Sequence, residues 1–353
     1  MKKITATTTR SRSLAGLCVL VTTLLLAPGA AAQTDQMYFP AVDNVTNLLV
    51  SKINAETARI DIAAWYLTER SISIALINAH KRGVQVRLLG DRGSIFEIEQ
   101  RTKAEYYWLA SQGMPIRLRY NPTWFPEIVH GKATIFKGQR LVSFGSANYT
   151  PFQLAPASST NYSDETVLFS TDSALVNAFL TKFDVIWNDT TGEPNSRISG
   201  PPYLKNWDDA CASESACSDY RTQYPNAVRA TISTARLEQN YAMPAEMVWS
   251  QGPEFNNRLV QEINAESNSI KFVIYRLTVD NITQAVLNKF RAGVPVQLIV
   301  EPTEYLNRKW PEFWLTHAYI DKLWAAGVPV KQRRHEGLTH MKMLVTSRYA
   351  TNA

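Results

Sequence analysis

Two short triplets carry the clearest chemical signal in this chain: His130-Gly131-Lys132 and His340-Met341-Lys342. One His-x-Lys means little in a chain with many lysines. Two of them, 210 residues apart, mean more because much of the chain repeats at that offset. Imidazole titrates near neutrality, so each histidine can act as nucleophile, acid or base. Each lysine adds a positive charge. Positions i and i+2 of a strand share a face, so each triplet aims one imidazole and one ammonium the same way. Such a set suits attack and proton transfer at a centre that carries negative charge.

The repeat supplies the elements that must position these groups. Ile53-Asn54-Ala55-Glu56 recurs as Ile263-Asn264-Ala265-Glu266, and Leu67-Thr68 as Leu277-Thr278. From Ile53 to Asp91, fourteen of thirty-nine positions are identical at the same offset, without a gap. Apolar periodicity predicts a helix over Asn44–Asn54, a buried strand over Ile60–Tyr66, a helix over Ser71–Arg82 stopped by Gly83, and a strand over Val84–Leu89. Helix and strand in alternation predict an α/β fold with a mostly parallel sheet. A further helix is expected over Phe313–Ala326. Residues 190–246 have no counterpart in the repeat and read as a linker or surface insertion. Its Trp207 is expected to pack rather than to touch lipid.

Composition narrows the class. The chain has 353 residues, 45% of them hydrophobic and 19% charged, which argues against disorder. Residues 1–32 read as a cleavable signal peptide: Lys2, Lys3, Arg10 and Arg12 head an apolar run, and Ala30-Ala31-Ala32 precedes the expected cut. The run is too short to span a bilayer, and no later stretch could do so. A secreted or periplasmic location follows as an expectation. There an oxidising setting makes a disulfide between Cys211 and Cys217 plausible. The formal net charge is +6, but four of those cations lie in the signal peptide, so basicity argues only weakly for an anionic partner.

Gly145-Ser146-Ala147-Asn148 follows the first triplet. With it the sequence resembles the phospholipase D superfamily, whose members carry His-x-Lys, four residues, Asp, and then Gly-Ser-x-Asn, twice per active site. The resemblance covers nearly all of residues 37–189 and 247–353. It implies two pseudo-symmetric α/β lobes, residues 33–189 and 247–353, each a mostly parallel sheet flanked by helices on both faces. The paired motifs would meet between the lobes. Three departures stand out. The Asp positions hold Lys137 and Ser347, and the sequence stops before a second Gly-Ser-x-Asn. The second lobe is therefore expected to be incomplete, and this form less stable and less active than one extended by about forty residues, the length by which the first repeat runs on.

The resemblance implies a phosphodiesterase without metal or other cofactor. His130 is expected as nucleophile, forming a phosphohistidine, and His340 as acid and base. Lys132, Lys342 and Asn148 would hold the non-bridging oxygens. Glu165 would fix the histidine of its own half. Ser146, Trp124 and Phe125 would contact substrate, the two aromatics at the site entrance. Phospholipid is the expected substrate, with peripheral contact to a membrane surface. Nucleic acid is the alternative, and a non-catalytic binder of phosphate ligands a third reading. No obligate protein partner is inferred.

Overall fold

The computed structural model describes residues 35–119, 128–188, 204–245, 247–248, 254–307 and 314–351. The expected signal peptide and the pair Trp124 and Phe125 lie outside the described residues. The first repeat unit runs β1 (Asp35–Tyr38), α1 (Val45–Ala55), β2 (Arg59–Ala63), α2 (Arg70–Lys81) and β3 (Gln85–Asp91). Its ends are set locally. The Asn44 side chain caps α1 by accepting the Asn47 N–H at 3.0 Å, and Gly83 turns the chain after α2 at φ +88°.

The first lobe continues with a π-helical turn (Ser94–Ile98), α3 (Gln100–Ser111), β4 (Ile116–Arg119), β5 (Ala133–Phe136) and β6 (Leu141–Gly145). Next come α4 (Pro151–Leu154), β7 (Asn161–Asp164), β8 (Val167–Ser170) and α5 (Ser173–Asn188). After it come β9 (Leu204–Asn206), α6 (Trp207–Ser213) and α7 (Tyr220–Gln223). The second lobe has α8 (Glu254–Ala265), β10 (Ile270–Ile274), α9 (Asp280–Arg291), β11 (Val296–Val300) and α10 (Pro302–Leu306). It ends with α11 (Trp314–Ala325), β12 (Val330–Gln332), β13 (Glu336–Thr339) and β14 (Lys342–Val345).

The large sheet has the order β1-β8-β6-β5-β2-β3-β4-β9. Its centre, β2-β3-β4, is parallel. The other pairings are antiparallel, so five of the eight strands run one way and three the other. The second sheet, β12-β11-β10-β14, is parallel except at β14. The repeat extends to register: Asp61 pairs with Ile135 in one lobe, and Lys271 with Val345, each 210 residues later, in the other. A third, two-stranded sheet joins the lobes. In it β7 and β13 run parallel, from Asn161 opposite Glu336 to Asp164 opposite Thr339. Gly337 permits this approach, since a Cβ there would strike the Tyr162 carbonyl.

In the first lobe helices cover both faces of the sheet. On one side α1, α2 and α3 bury Leu49, Leu76 and Tyr106 against Ile60, Ile62 and Leu88. On the other, α5 buries Phe179, Phe183 and Trp187 against Leu89, Ile135 and Val142. That second face also carries buried charge. Arg87 ion-pairs with Asp61 at 2.6 Å and with Asp184 of α5 at 2.8 Å, and Arg59 joins Asp61 to Glu238. In the second lobe the expected cover on both faces is not found among the described residues. Helices α8, α9 and α11 pack on Phe272, Leu298 and Leu344, while the opposite face exposes Lys271, Gln297 and Ile299. Alternation of buried and exposed residues, strict along β11 and with Val273 half-buried in β10, records that one-sided packing.

The segment between the repeats is more than a linker. Its β9 extends the large sheet beside β4. Trp207 is buried among Tyr106, Tyr107 and Tyr220, in the packing role expected of it. Cys211 and Cys217 form a disulfide with Cα atoms 5.0 Å apart. The N–H groups of Leu237 and Glu238 donate to Asp184, tying this segment to α5.

Candidate active site

Both His-x-Lys triplets lie on extended chain entering a strand, not within one: β5 begins at Ala133 and β14 at Lys342. Lys132 Nζ returns to the His130 carbonyl at 2.6 Å, and Lys342 Nζ to the His340 carbonyl at 2.5 Å. Each ammonium thus sits beside its own imidazole.

An aromatic ring backs each histidine. Trp65 meets His130 with ring centroids 5.2 Å apart, and Tyr275 meets His340 at 4.8 Å. These two aromatics are themselves 210 residues apart, a signal present in the repeat that motif reading missed. The next residues break the symmetry. Tyr66 stands in one half and Arg276 in the other, where the guanidinium pairs with Glu304 at 2.5 Å.

A carboxylate lies behind each triplet. Asp91 ends β3, and Glu301 follows β11. Asp91 Oδ2 accepts the N–H of Val129 at 2.9 Å, and Glu301 Oε2 accepts that of Thr339 at 2.7 Å. Each donor immediately precedes a motif histidine. Burial pushes the Asp91 carboxyl up to about 6, against the lowering effect of its backbone donors.

The lobes meet at His340. Its Nδ1 lies 3.0 Å from Glu165 Oε1 and 3.2 Å from Oε2. The expectation that Glu165 holds the histidine of its own half is therefore corrected. The carboxylate reaches across the lobe boundary because Asp164 docks the second triplet there. The Asp164 carbonyl accepts the N–H groups of both His340 and Met341, at 3.1 and 2.9 Å, and its side chain accepts from the Thr339 hydroxyl. Among the described residues, no carboxylate lies within ion-pair distance of His130. Its Nδ1 faces Lys132 Nζ at 3.1 Å instead.

Ser146 supports Glu165. Its hydroxyl donates to Glu165 at 2.5 Å and accepts from the Thr166 N–H at 3.0 Å. That buried, fully engaged hydroxyl corrects the expectation of a substrate contact. Gly145 is needed where it stands, since a Cβ there would strike the Thr166 carbonyl. Asn148 is buried on the same loop, and its side-chain oxygen has no hydrogen-bond partner among the described residues.

The two positions where the family motif has Asp point away from these groups. Lys137 Nζ binds both oxygens of Glu238 at 2.8 Å, and the Ser347 hydroxyl binds Glu266. Both contacts fasten the far end of a motif strand, so the departures leave the histidines in place.

Charge crowds the site. Burial lowers the Lys342 ammonium to about 7, against the raising effect of Glu165. Burial and the neighbouring Lys342 lower Lys132 well below the ordinary lysine range. His130 is pushed down to about 2 by burial, then by the charges of Lys132, Lys342 and His340. Burial lowers His340 as well, but there the hydrogen bond it donates to Glu165 opposes it. Positive groups outnumber the one carboxylate in contact with them, Glu165, so an anion would be favoured here. Among the described residues, no group of three or more His, Cys, Asp or Glu is placed to hold a metal ion. No helix among them is long and apolar enough to cross a membrane.

A sequence profile for the family described as cardiolipin synthase, PLD-like domain, matches residues 49–187 and 259–351. No curated protein sequence matches significantly. Among solved structures, phosphatidylserine synthase of Haemophilus influenzae Rd KW20 is similar over 89% of this chain and 76% of that one, at 12% identity and a TM-score of 0.59. Polyphosphate kinase of Porphyromonas gingivalis is similar over 88% of this chain and 43% of that one, at 15% identity and a TM-score of 0.50. Nuc of Salmonella typhimurium, a phospholipase D family member, shares 27% identity over 44% of this chain and 95% of that one, with a TM-score of 0.37.

Proposed function

Because this chain belongs to the phospholipase D-like family, we propose that it is a phosphodiesterase of phospholipids, releasing the head group and leaving phosphatidic acid. The observation that carries the reading is the contact of Glu165 with His340 across the lobes, with two buried lysines beside the histidines. In this reading the neutral imidazole of His130 attacks phosphorus while the bond to the leaving oxygen breaks. His340 gives that oxygen the proton on Nε2, and Glu165 at Nδ1 stabilises the imidazolium before it does so. His340 then takes a proton from water. The water oxygen attacks phosphorus, the phosphorus–nitrogen bond breaks, and His130 is restored. Lys132, Lys342 and the Asn148 side chain hold the non-bridging oxygens. The asymmetry of the two histidines supports the assignment, since only His340 has a carboxylate to favour its charged form.

Lipid is preferred over nucleic acid on the character of the neighbouring surface. A cavity of about 420 Å³ between the lobes is lined by Tyr66, Phe152, Tyr162 and Leu338 among uncharged polar residues, with one cation, Arg101, and one anion, Glu99. A polyanion calls for several uncompensated cations along its path. Export, expected from the N-terminal residues, suits the Cys211–Cys217 disulfide.

The test is an assay of the purified protein on phosphatidylcholine vesicles and on single-stranded DNA, beside His130→Ala and His340→Ala. Choline release that falls by about 10²–10⁴-fold in both variants supports the reading. Cleavage of DNA without head-group release makes the protein a nuclease. No turnover of either substrate favours a non-catalytic phosphate binder.

A further inference from the structure

We propose that Asp91 and Glu301 are a matched pair of positioning residues, each holding the peptide N–H directly before a motif histidine and so fixing where that imidazole points. The proposal rests on reading His130 and His340 as the reacting groups.

The geometry is the same in both halves. The two carboxylates are 210 residues apart, each at the end of a corresponding strand, β3 or β11. Each divides its oxygens between two tasks. One oxygen holds the loop that follows its own strand: Asp91 Oδ1 accepts the Gly93 N–H at 2.8 Å, and Glu301 Oε1 the Thr303 N–H at 3.0 Å. The other oxygen reaches to the incoming motif segment, at Val129 and Thr339. Both side chains are 1% exposed, so water does not compete for these bonds.

Generic loop-holding does not account for the pattern. The loops that follow the two strands have different structures, a π-helical turn in one lobe and α10 after Pro302 in the other. The residue type differs as well, aspartate in one and glutamate in the other. Besides the bond to the N–H two residues on, both halves keep the bond to the N–H of the residue that precedes the histidine. Neither carboxylate hydrogen-bonds an imidazole in the structure, so each acts through the backbone. A reacting group displaced by about 1 Å can lose on the order of 10² in rate.

The experiment compares Asp91→Ala and Glu301→Ala with Asp91→Asn and Glu301→Gln, in the full chain, using a soluble phosphodiester. The alanine variants should lower kcat by about 10–100-fold with KM within about threefold. The amide variants keep one acceptor oxygen, which can hold the Val129 or Thr339 N–H when the NH2 is turned to the loop side, and should recover part of the loss. Hydrogen exchange at the Val129 and Thr339 amides is measured on the same proteins. It should speed up in the alanine variants and stay near the parent rate in the amide variants. Faster exchange with kcat unchanged overturns the proposal, because the clamp then has no bearing on the chemistry. Amide variants that keep the Val129 and Thr339 amides protected yet are as impaired as the alanine variants overturn it too, because charge and not the hydrogen bond would be the requirement. Exchange is read without substrate: unprotected Val129 and Thr339 amides in the parent overturn the clamp itself. A parent with protected amides and no turnover of any phosphodiester refutes the reading of the histidines as reacting groups, and the proposal with it.

Discussion

Glu165, from the first lobe, lies 3.0 Å from Nδ1 of His340, from the second. The candidate site is therefore shared between the lobes through this hydrogen-bonded pair. A carboxylate in that place orients the ring and favours its charged form. Glu165→Gln, which removes the charge and keeps the shape, should lower kcat by about 10²–10³-fold and leave KM within a few-fold. Ser146→Ala, which removes the donor to Glu165, should lower it by about tenfold. Steady-state kinetics on a soluble phosphodiester check both. A Glu165→Gln protein within threefold of the parent would contradict the role given to the pair.

The depressed lysines make anion binding depend on pH. Burial disfavours the Lys342 charge and pushes it down to about 7, and a bound anion favours it again. Above pH 7 the complex must take up a proton that the free protein lacks. Tungstate affinity should therefore rise as pH falls from about 9 towards 7, by up to tenfold per unit for each proton taken up, and the Lys342 contribution should level off below that. Calorimetry in buffers of different ionisation enthalpy measures the uptake. For the empty protein the sign is opposite. The unfolded chain keeps the Lys342 proton to about 10.4 and the folded chain does not, so this group makes stability rise with pH between about 7 and about 10.4.

Arg87 holds two buried carboxylates, Asp61 and Asp184, beneath α5. Arg87→Met leaves both without their shared cation and should destabilise the protein by about 3–5 kcal/mol. Denaturant unfolding is the check, and a change under about 1 kcal/mol would mean that Arg59, paired with Asp61, and Arg236, which pairs with Asp184 at 2.9 Å, suffice for the two carboxylates.

Much of the fold was legible because it is written twice. The helices at Val45–Ala55 and Arg70–Lys81 and their counterparts share both apolar spacing and identical residues, and the register of β2 with β5 repeats in β10 with β14. The His and Lys residues of the site were legible for the same reason. What the sequence concealed depends on how the lobes meet. The β7–β13 ladder forms only when distant segments come together, and it is this contact that gives Glu165 to His340. Polar residues misled as well. Arg59, Asp61 and Arg87 are charged residues in or beside strands expected to be buried, and nothing in the sequence signals that all three are buried in mutual ion pairs. Lys137 and Ser347 looked like damage to the motif, whereas each fastens a strand end to a glutamate.

The central claim is that His130 takes the phosphoryl group while His340 moves the protons. The most direct test uses His340→Ala with bis(p-nitrophenyl) phosphate, whose leaving group departs without needing a proton. The reaction is quenched in alkaline denaturant, which preserves a phosphorus–nitrogen bond, and the digested protein is read by mass spectrometry. The account predicts a burst of p-nitrophenolate and a nitrophenyl-phosphoryl adduct on the peptide that carries His130. A reaction with no covalent adduct, or with the adduct on any other residue, would contradict it.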